Sequence, residues 1–256
     1  DLSDADALSS LDVADVDTVV HCASQQPRSD LSWSNYYQGN VQTVDNVLNW
    51  MPKVGIGRLV FLSTVAFLPF PENEARALDE QSPVYPQNNY ALSKYFAECL
   101  CELRSRQNKI NALALRLPSV FLEEQRGGVV DTYYSHATQN THLELYSEGR
   151  YLRNLIYIDD VLTAIERSIA YLQTAPTAFE RIHVGCRKSW TSKQVAQFIY
   201  KNVSSNAHVV PVLNEVPLKG HCVLDLTKAA RLLGFEAQPL ERSLLLYIGR
   251  MTGRQR

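Results

Sequence analysis

The sequence predicts an α/β protein built on half of a doubly wound parallel sheet, with a smaller lobe beside it. Two observations carry this expectation. Short apolar, β-branched runs with no polar alternation recur through the first half of the chain, as in strands buried on both faces. Longer stretches lie between them, with apolar residues at three- and four-residue steps, the spacing of helices that cover a sheet. Strand, helix, strand, helix, strand implies right-handed crossovers and a parallel sheet covered on both sides.

The elements follow in order. Thr18-Val19-Val20-His21-Cys22 reads as the first strand, and residues 33–50 as a helix through Tyr36, Tyr37, Val41, Val44, Val47 and Leu48. Arg58-Leu59-Val60-Phe61-Leu62 is the second strand, and residues 89–106 the second helix, through Leu92, Phe96, Cys99, Leu100 and Leu103. Residues 110–116 give a third strand. After Pro118 the alternation loosens: a Gly127-Gly128 loop, a helix over 129–137, a strand over 142–146 and a strand-to-helix junction over 155–169. A strand over 181–184, a helix over 192–201, a strand over 208–212 and a helix over 227–233, stopped by Gly234, complete the series. Residues 1–118 are therefore expected to form a partial sheet domain, and residues 119–256 a substrate-facing lobe interleaved with the last sheet elements.

Composition limits the function. The 256 residues carry 25 Lys+Arg against 27 Asp+Glu, a net charge of −2, which argues against a protein that tracks nucleic-acid phosphates. Apolar runs such as residues 243–248 fall far short of the ~18 needed to span a membrane. Five cysteines with no C-x-x-C pair point to reduced thiols and a cytoplasmic setting. Six histidines show no metal-ligand spacing, so no metal is expected. Residue 1 is Asp, and the two methionines are Met51 and Met251, so the sequence is expected to start past the native translation start.

The chemistry-bearing residues begin with Tyr90-Ala91-Leu92-Ser93-Lys94. A tyrosine and a lysine four apart share one helix face, so an ammonium can stabilise a phenolate beside it. Tyrosine ionises near about 10 and a base working at neutrality needs about 7, a difference of roughly 4 kcal/mol. The pair follows a strand ending Phe61-Leu62-Ser63-Thr64, and ligands of open α/β sheets gather at the carboxyl ends of strands. A hydroxyl there can hold the substrate oxygen whose proton the tyrosine handles.

With these motifs in place, the chain resembles extended short-chain dehydrogenases/reductases of the NAD-dependent epimerase/dehydratase group. His21-Cys22-Ala23-Ser24 resembles the family's H-x-A-(A/G/S) turn, which passes along the cofactor, and Asn40-Val41 its helical asparagine and valine. Ser63-Thr64-Val65-Ala66 resembles the S-(S/T)-x-x strand end. Leu115 to Phe121 is similar to L-R-x-x-N-V-Y, Arg153 to Val161 to R-D-F-I-h-V-D-D-V, and Asp225 to Phe235 to the closing D-x-S-K…L-G-(F/W) stretch. The resemblance implies a Rossmann-like sheet and a site in which Thr64 orients the substrate hydroxyl. Tyr90 would act as acid/base, and Lys94 would depress the phenol and hold the nicotinamide ribose. By the same resemblance Asp1, Leu2, Cys22, Ala23, Ser24, Asn40, Tyr90, Lys94 and Pro118 contact NAD or NADP, NAD being favoured, and Thr64, Ser119 and Arg153 contact substrate. Arg153 is read either as a clamp for a substrate diphosphate or as a solvated arginine beside a strand; Asp159-Asp160 is read as a helix cap. The helices over 33–50 and 89–106 either form a homodimer interface or simply pack on the sheet.

The departures matter as well. The 4,6-dehydratases of this group carry S-T-D-E at the strand end, and here the last two positions are Val65 and Ala66, neither able to move a proton. The expected activity is an NAD(P)-dependent epimerase or oxidoreductase acting on a nucleotide-activated sugar. The alternatives are a reductase of the same superfamily on a non-sugar carbonyl and a truncated, non-catalytic binding module. No Gly-rich turn precedes a helix in the first βα unit: Gly55-Ile56-Gly57 lies before a strand and Gly127-Gly128 in the other lobe. Because Asp1-Leu2 resembles the family's D-(L/I) after the third strand, the sequence is expected to begin about two βα units late, a deficit of roughly 50 residues; if the protein itself lacks them, weak or no dinucleotide binding is expected. Calorimetric titration of the 256-residue chain with NAD and NADP checks this; micromolar binding overturns it.

Overall fold

The computed structural model describes residues 1–174, 179–203, 206–213 and 220–253. It opens with a short helix α1 (Ala5–Ser9), capped by the Asp4 carboxylate, which accepts from the Asp6 amide. Strand β1 (Thr18–His21) follows, then α2 (Trp33–Tyr36), a π-helical stretch (Tyr37–Gln42) and α3 (Thr43–Trp50). Next come β2 (Arg58–Thr64), the twenty-residue α4 (Asn89–Asn108) and β3 (Asn111–Leu117). The three strands and two helical stretches of the sequence reading are all present. The helix over 33–50 is not uniform, however, because the π-turn interrupts it around Gly39 and Asn40.

Beyond Pro118 lie β4 (Ser119–Phe121), α5 (Val129–Thr138), β5 (Leu143–Leu145), β6 (Leu152–Arg153), β7 (Leu155–Tyr157) and α6 (Ile158–Thr174). They are followed by β8 (Phe179–His183), β9 (Trp190–Thr191), α7 (Ser192–Asn202), β10 (Val209–Pro211), α8 (Thr227–Leu233) and α9 (Leu240–Met251). The α8 helix ends at Gly234, whose left-handed φ of 58° closes the turn as expected. The short strands β4, β6 and β9 and the helix α9 were not anticipated.

The main sheet runs β1-β2-β3-β8, all parallel. Its pleat sorts side chains by parity. Leu59 and Phe61 of β2 and Ala112 and Ala114 of β3 face α3 and α4, packing on Val44, Val47, Leu48 and Ala97. Val60, Leu113 and Leu115 face α6 and α8, against Val161, Ala164, Leu172, Ala229 and Leu233. Two alanines on the α4 side leave room for that helix to lie close to the sheet. Thus β8, α6 and α8, from the second half of the chain, complete the layers begun by the first half. A separate core of Phe121, Tyr134, Tyr157, Val195, Ile199, Leu244 and Tyr247 holds the smaller lobe, built from α5, α7 and α9 around short strand pairs.

Leu113 is fully buried at the middle of β3, whereas Leu245 on α9 is 48% exposed. Leu113→Ala is expected to cost about 2–5 kcal/mol, and Leu245→Ala within about 0.5 kcal/mol, measured as shifts in urea midpoint at constant slope.

Candidate active site

Because every strand of the main sheet is parallel, their carboxyl ends emerge on one edge. Cys22 leaves β1, Thr64 ends β2, Pro118 follows β3 and Val184 follows β8. Thr64 lies opposite Leu117 in the register, and the Val65 amide extends the pairing by donating to the Leu117 carbonyl at 3.0 Å. The edge therefore holds Cys22, Thr64 and Pro118 together, as the sequence predicted, with Cys22 and Ala23 exposed and Pro118 buried.

The first turn of α4 reaches this edge. Asn88 caps the helix by accepting from the Ala91 amide at 2.8 Å, which fixes the direction in which Tyr90 leaves it. The Tyr90 phenol is largely buried, lies against the Thr64 hydroxyl, and is set edge-on to Tyr36 with ring centroids 6.4 Å apart. Burial raises its pKa above the ordinary tyrosine value, and Tyr36 adds to this, while the Thr64 hydroxyl pulls the other way. Thr64 Oγ1 also accepts from the Ala66 amide at 3.1 Å, so its orientation is set by the backbone as well.

Lys94 differs from expectation. Its Nζ donates to the Leu62 carbonyl at 2.6 Å and lies 4.4 Å from the centre of the Phe61 ring, folded against β2. In this arrangement burial outweighs the other influences on the phenol, and the lysine is held by the strand behind the tyrosine. Burial brings the Lys94 pKa down to about 8, against the opposing pull of Cys101, Glu98 and Cys22. Its neighbour His21 is pushed down to about 4 by burial and by the Lys94 charge, and both its ring nitrogens are buried without a hydrogen-bond partner.

Asn40, expected along the cofactor, has a different role. Its Oδ1 accepts from Ser24 Oγ at 2.9 Å and from the Gln25 amide at 2.6 Å. Its Nδ2 donates to the Gln25 carbonyl at 3.2 Å and to Ser93 Oγ at 2.8 Å. All four hydrogen bonds of the amide are spent inside the protein, so Asn40 positions the turn after β1 instead of offering a free group to a ligand. Ser93 in turn donates to the Tyr90 carbonyl at 2.8 Å, which joins that turn to α4. Gly39 allows the approach: a Cβ there would stand 2.7 Å from Gln25 Cβ. The π-turn thus turns Asn40 inward. Asp1 and Leu2 lie beside the same helical stretch, where Asn46 donates to the Leu2 carbonyl at 2.9 Å and Gln42 to the Ser3 carbonyl at 3.1 Å.

The substrate lobe begins where Pro118 ends β3 and Ser119 starts β4, a strand that pairs with β7 instead of the main sheet. Ser119 is exposed at that junction. Arg153, on β6, is not a solvated arginine. Its guanidinium is half-buried 5.8 Å from the Tyr151 ring centre and donates to the Gly220 carbonyl at 3.4 Å, with Tyr133 and Cys222 nearby. Arg150 stacks on the same ring at 4.9 Å. Asp159 and Asp160 do not cap α6, which starts before them at Ile158. Asp159 forms a bidentate pair with Arg250 of α9, and Asp160 accepts from the Gln238 amide at 3.2 Å. Both tie the first turn of α6 to the end of the chain.

A buried ionic cluster beneath the site was not foreseen. Glu98, wholly buried, receives Arg116 through Nη2 at 2.6 Å and Nε at 3.1 Å, Arg181 Nε at 2.7 Å and Ser63 Oγ at 2.8 Å. Burial would raise this carboxyl, but Arg116, Ser63 and Arg181 outweigh it and hold it below the usual range. The signal available in the sequence was the spacing of Glu98, four residues after Lys94. A cavity of about 420 Å³ lies at the β8 end of this edge, between Val184, Arg187, Leu226, Ala230 and Phe235. None of the predicted site residues lines it, so the chemistry is placed by the strand-end geometry and not by cavity size.

The sequence profile of the "NAD dependent epimerase/dehydratase family" matches residues 1–185. A dTDP-4-dehydro-6-deoxy-D-allose reductase of Streptomyces bikiniensis is 24% identical over 240 residues, covering 90% of this chain and 72% of that protein. A putative UDP-glucose 4-epimerase of Methanocaldococcus jannaschii is 28% identical over 170 residues, covering 64% of this chain and 55% of that one. Among solved structures, a UDP-glucose 4-epimerase of Thermotoga maritima with UDP-glucose superposes with a TM-score of 0.86 at 20% identity, over 98% of this chain and 82% of the other. A dTDP-glucose 4,6-dehydratase of Streptomyces venezuelae with NAD bound gives 0.80 at 23% identity, over 99% and 79%. The structural likeness shows the Rossmann-like fold, and the profile covers the main sheet through the end of β8. The chain belongs to the NAD-dependent epimerase/dehydratase family.

Proposed function

We propose that the protein is an oxidoreductase or epimerase that moves hydride between a nicotinamide dinucleotide and a nucleotide-activated sugar, with Tyr90 as the proton-handling group. The observation that carries this reading is the Thr64–Tyr90 hydroxyl pair at the carboxyl edge of the parallel sheet, the phenol buried and the hydroxyl fixed by backbone. The residues at this edge fit the nicotinamide-ribose end of a dinucleotide: the exposed turn at Cys22 and Ala23 gives it a surface, and Lys94 has two N–H donors beyond the one held by Leu62. A bound nicotinamide supplies hydride exchange at the substrate carbon.

The chain's own groups do the rest. Thr64 holds the substrate oxygen and Tyr90 gives or takes its proton. With its pKa raised, the phenol is protonated in the resting protein, ready to serve as the acid when a ketone is reduced. Serving as base requires added positive charge near the ring, which a bound oxidised nicotinamide carries. Val65 and Ala66 offer no proton-transferring side chain beside this pair, which speaks against elimination of water. Arg153 and Arg150 around Tyr151 suit the diphosphate of a sugar nucleotide, since guanidinium forks match phosphate oxygens.

The family relatives named above, a dTDP-sugar reductase and a UDP-sugar epimerase, support a sugar-nucleotide substrate. The exposed faces of Tyr37, Phe96 and Leu103, with Trp33 packed edge-on to Phe96, support pairing of two copies through α2–α3 and α4. The five cysteines, all free, support a cytoplasmic protein; no helix among the described residues is long and apolar enough to cross a membrane.

Two measurements check the assignment. Tyr90→Phe is expected to reduce turnover of a dTDP- or UDP-4-ketosugar by at least about a hundredfold, within the usual range for loss of a general acid, with substrate binding retained; unchanged turnover refutes the role. In the unliganded protein, the tyrosinate absorbance of wild type minus Tyr90→Phe should rise only above pH about 10, because burial favours the protonated phenol. A difference signal rising well below that pH would contradict the burial argument.

A further inference from the structure

The buried carboxylate of Glu98 takes no part in the proton and hydride steps, yet it sits one helical turn beyond Lys94. Tyr90, Lys94 and Glu98 stand four residues apart on one face of α4, and that face lies along the last three residues of β2. Leu62 accepts from Lys94 Nζ at 2.6 Å, Ser63 Oγ donates to Glu98 Oε2 at 2.8 Å, and Thr64 lies against the Tyr90 phenol. On its far side Glu98 is gripped by Arg116 of β3 and Arg181 of β8.

We infer that Glu98 is a positioning residue for the Tyr90–Lys94 pair: its carboxylate locks the helix turn below the ammonium onto Ser63, beside Thr64, and balances the ammonium's charge inside the sheet–helix interface. The inference rests on the reading of Tyr90 and Lys94 as the working pair.

The groups facing Lys94 make the electrostatic part specific. They are His21 and Cys22 from the end of β1, the Phe61 ring and the Leu62 carbonyl from β2, and Glu98 and Cys101 from its own helix. His21 is held unprotonated, burial keeps the Cys101 thiol neutral, and partial desolvation raises the Cys22 thiol at the exposed turn. At neutral pH Glu98 is therefore the ionised carboxylate in this set, its charge shared between Arg116, Arg181 and the ammonium one turn away.

The test follows the Lys94 ammonium directly, by NMR of isotope-labelled lysine side chains over a pH series, with Lys94→Arg used to identify the signal. Wild type is expected to titrate at about 8. Glu98→Gln should move the midpoint down by about one pH unit, a tenfold loss of proton affinity. If the single variant folds poorly, the double variant Glu98→Gln/Arg116→Gln removes the fully buried guanidinium together with its carboxylate, and its midpoint should also fall, by less because a positive charge goes with the negative one. Arg181→Gln alone weakens the cluster but keeps the carboxylate charge, so its midpoint should not fall. A folded Glu98 variant that titrates like wild type overturns the inference, as does an equal fall in Arg181→Gln alone. Turnover by Tyr90→Phe is measured separately: unchanged turnover there would sink the functional reading while the Lys94 titration still reports the Glu98 coupling.

Discussion

A carboxylate sealed from water must be compensated on every side, and Glu98 imposes that demand on most of the main sheet. Its partners come from β2, β3 and β8, so one buried charge requires three strands to hold their register against α4. Arg116, itself fully buried, also donates to the Glu80 carbonyl, and the Glu80 side chain accepts from the His183 amide. The connection between β2 and α4 is thereby drawn over the strand ends. Removing one member of such a set leaves an uncompensated ion in a low-dielectric interior, a larger penalty than the gain from any single pair. The Thr64–Tyr90 hydroxyls thus stand on a foundation in which few parts can shift independently.

The fold could be read from the sequence wherever the pattern has a simple period. The apolar runs at Leu59-Val60-Phe61 and Leu113-Ala114-Leu115 have few ways to be satisfied other than as buried parallel strands, and they are so placed, while Val19-Val20 lies half-buried in the edge strand β1. The π-turn was not readable, because apolar positions at three- and four-residue steps fit an α-helix equally well, and the close approach of Gly39 to Gln25 that accompanies it is a tertiary contact. The two- and three-residue strands β4, β6 and β9 carry too few residues for any period. The helix α9 hides in a run, Leu244-Leu245-Leu246, that lacks visible amphipathy until Tyr247 and Ile248 are seen to share the buried face.

The site shows the same division. That Thr64 and Tyr90 meet follows from the parallel topology alone: a strand end and the start of the next crossover helix lie on the same edge. What spacing could not show was the direction of flexible side chains. Lys94 has four rotatable bonds and its destination was decided by a carbonyl and an aromatic ring on β2. Asn40 lies at the position the motif assigns, but its hydrogen bonds are consumed by Ser24, Gln25 and Ser93. Asp159 and Asp160 had the composition of a cap, and were instead recruited by Arg250 and the Gln238 amide across the chain.

The segment over 220–225, which passes beside Arg153, is joined to the β2–α4 connection by main-chain bonds: His221 to Pro71, Leu78 to Val223 and Asp225 to Leu78. The His221 ring then accepts from the Leu152 amide, next to Arg153. The spacing between the arginine and the strand-end threonine is therefore set by peptide groups, which every amino acid carries. Substitution along this segment can change what lies between the two ends, while the length of the ruler stays fixed. Among descendants of such a scaffold, new substrates would be reached by repainting the walls of the site and not by moving its landmarks.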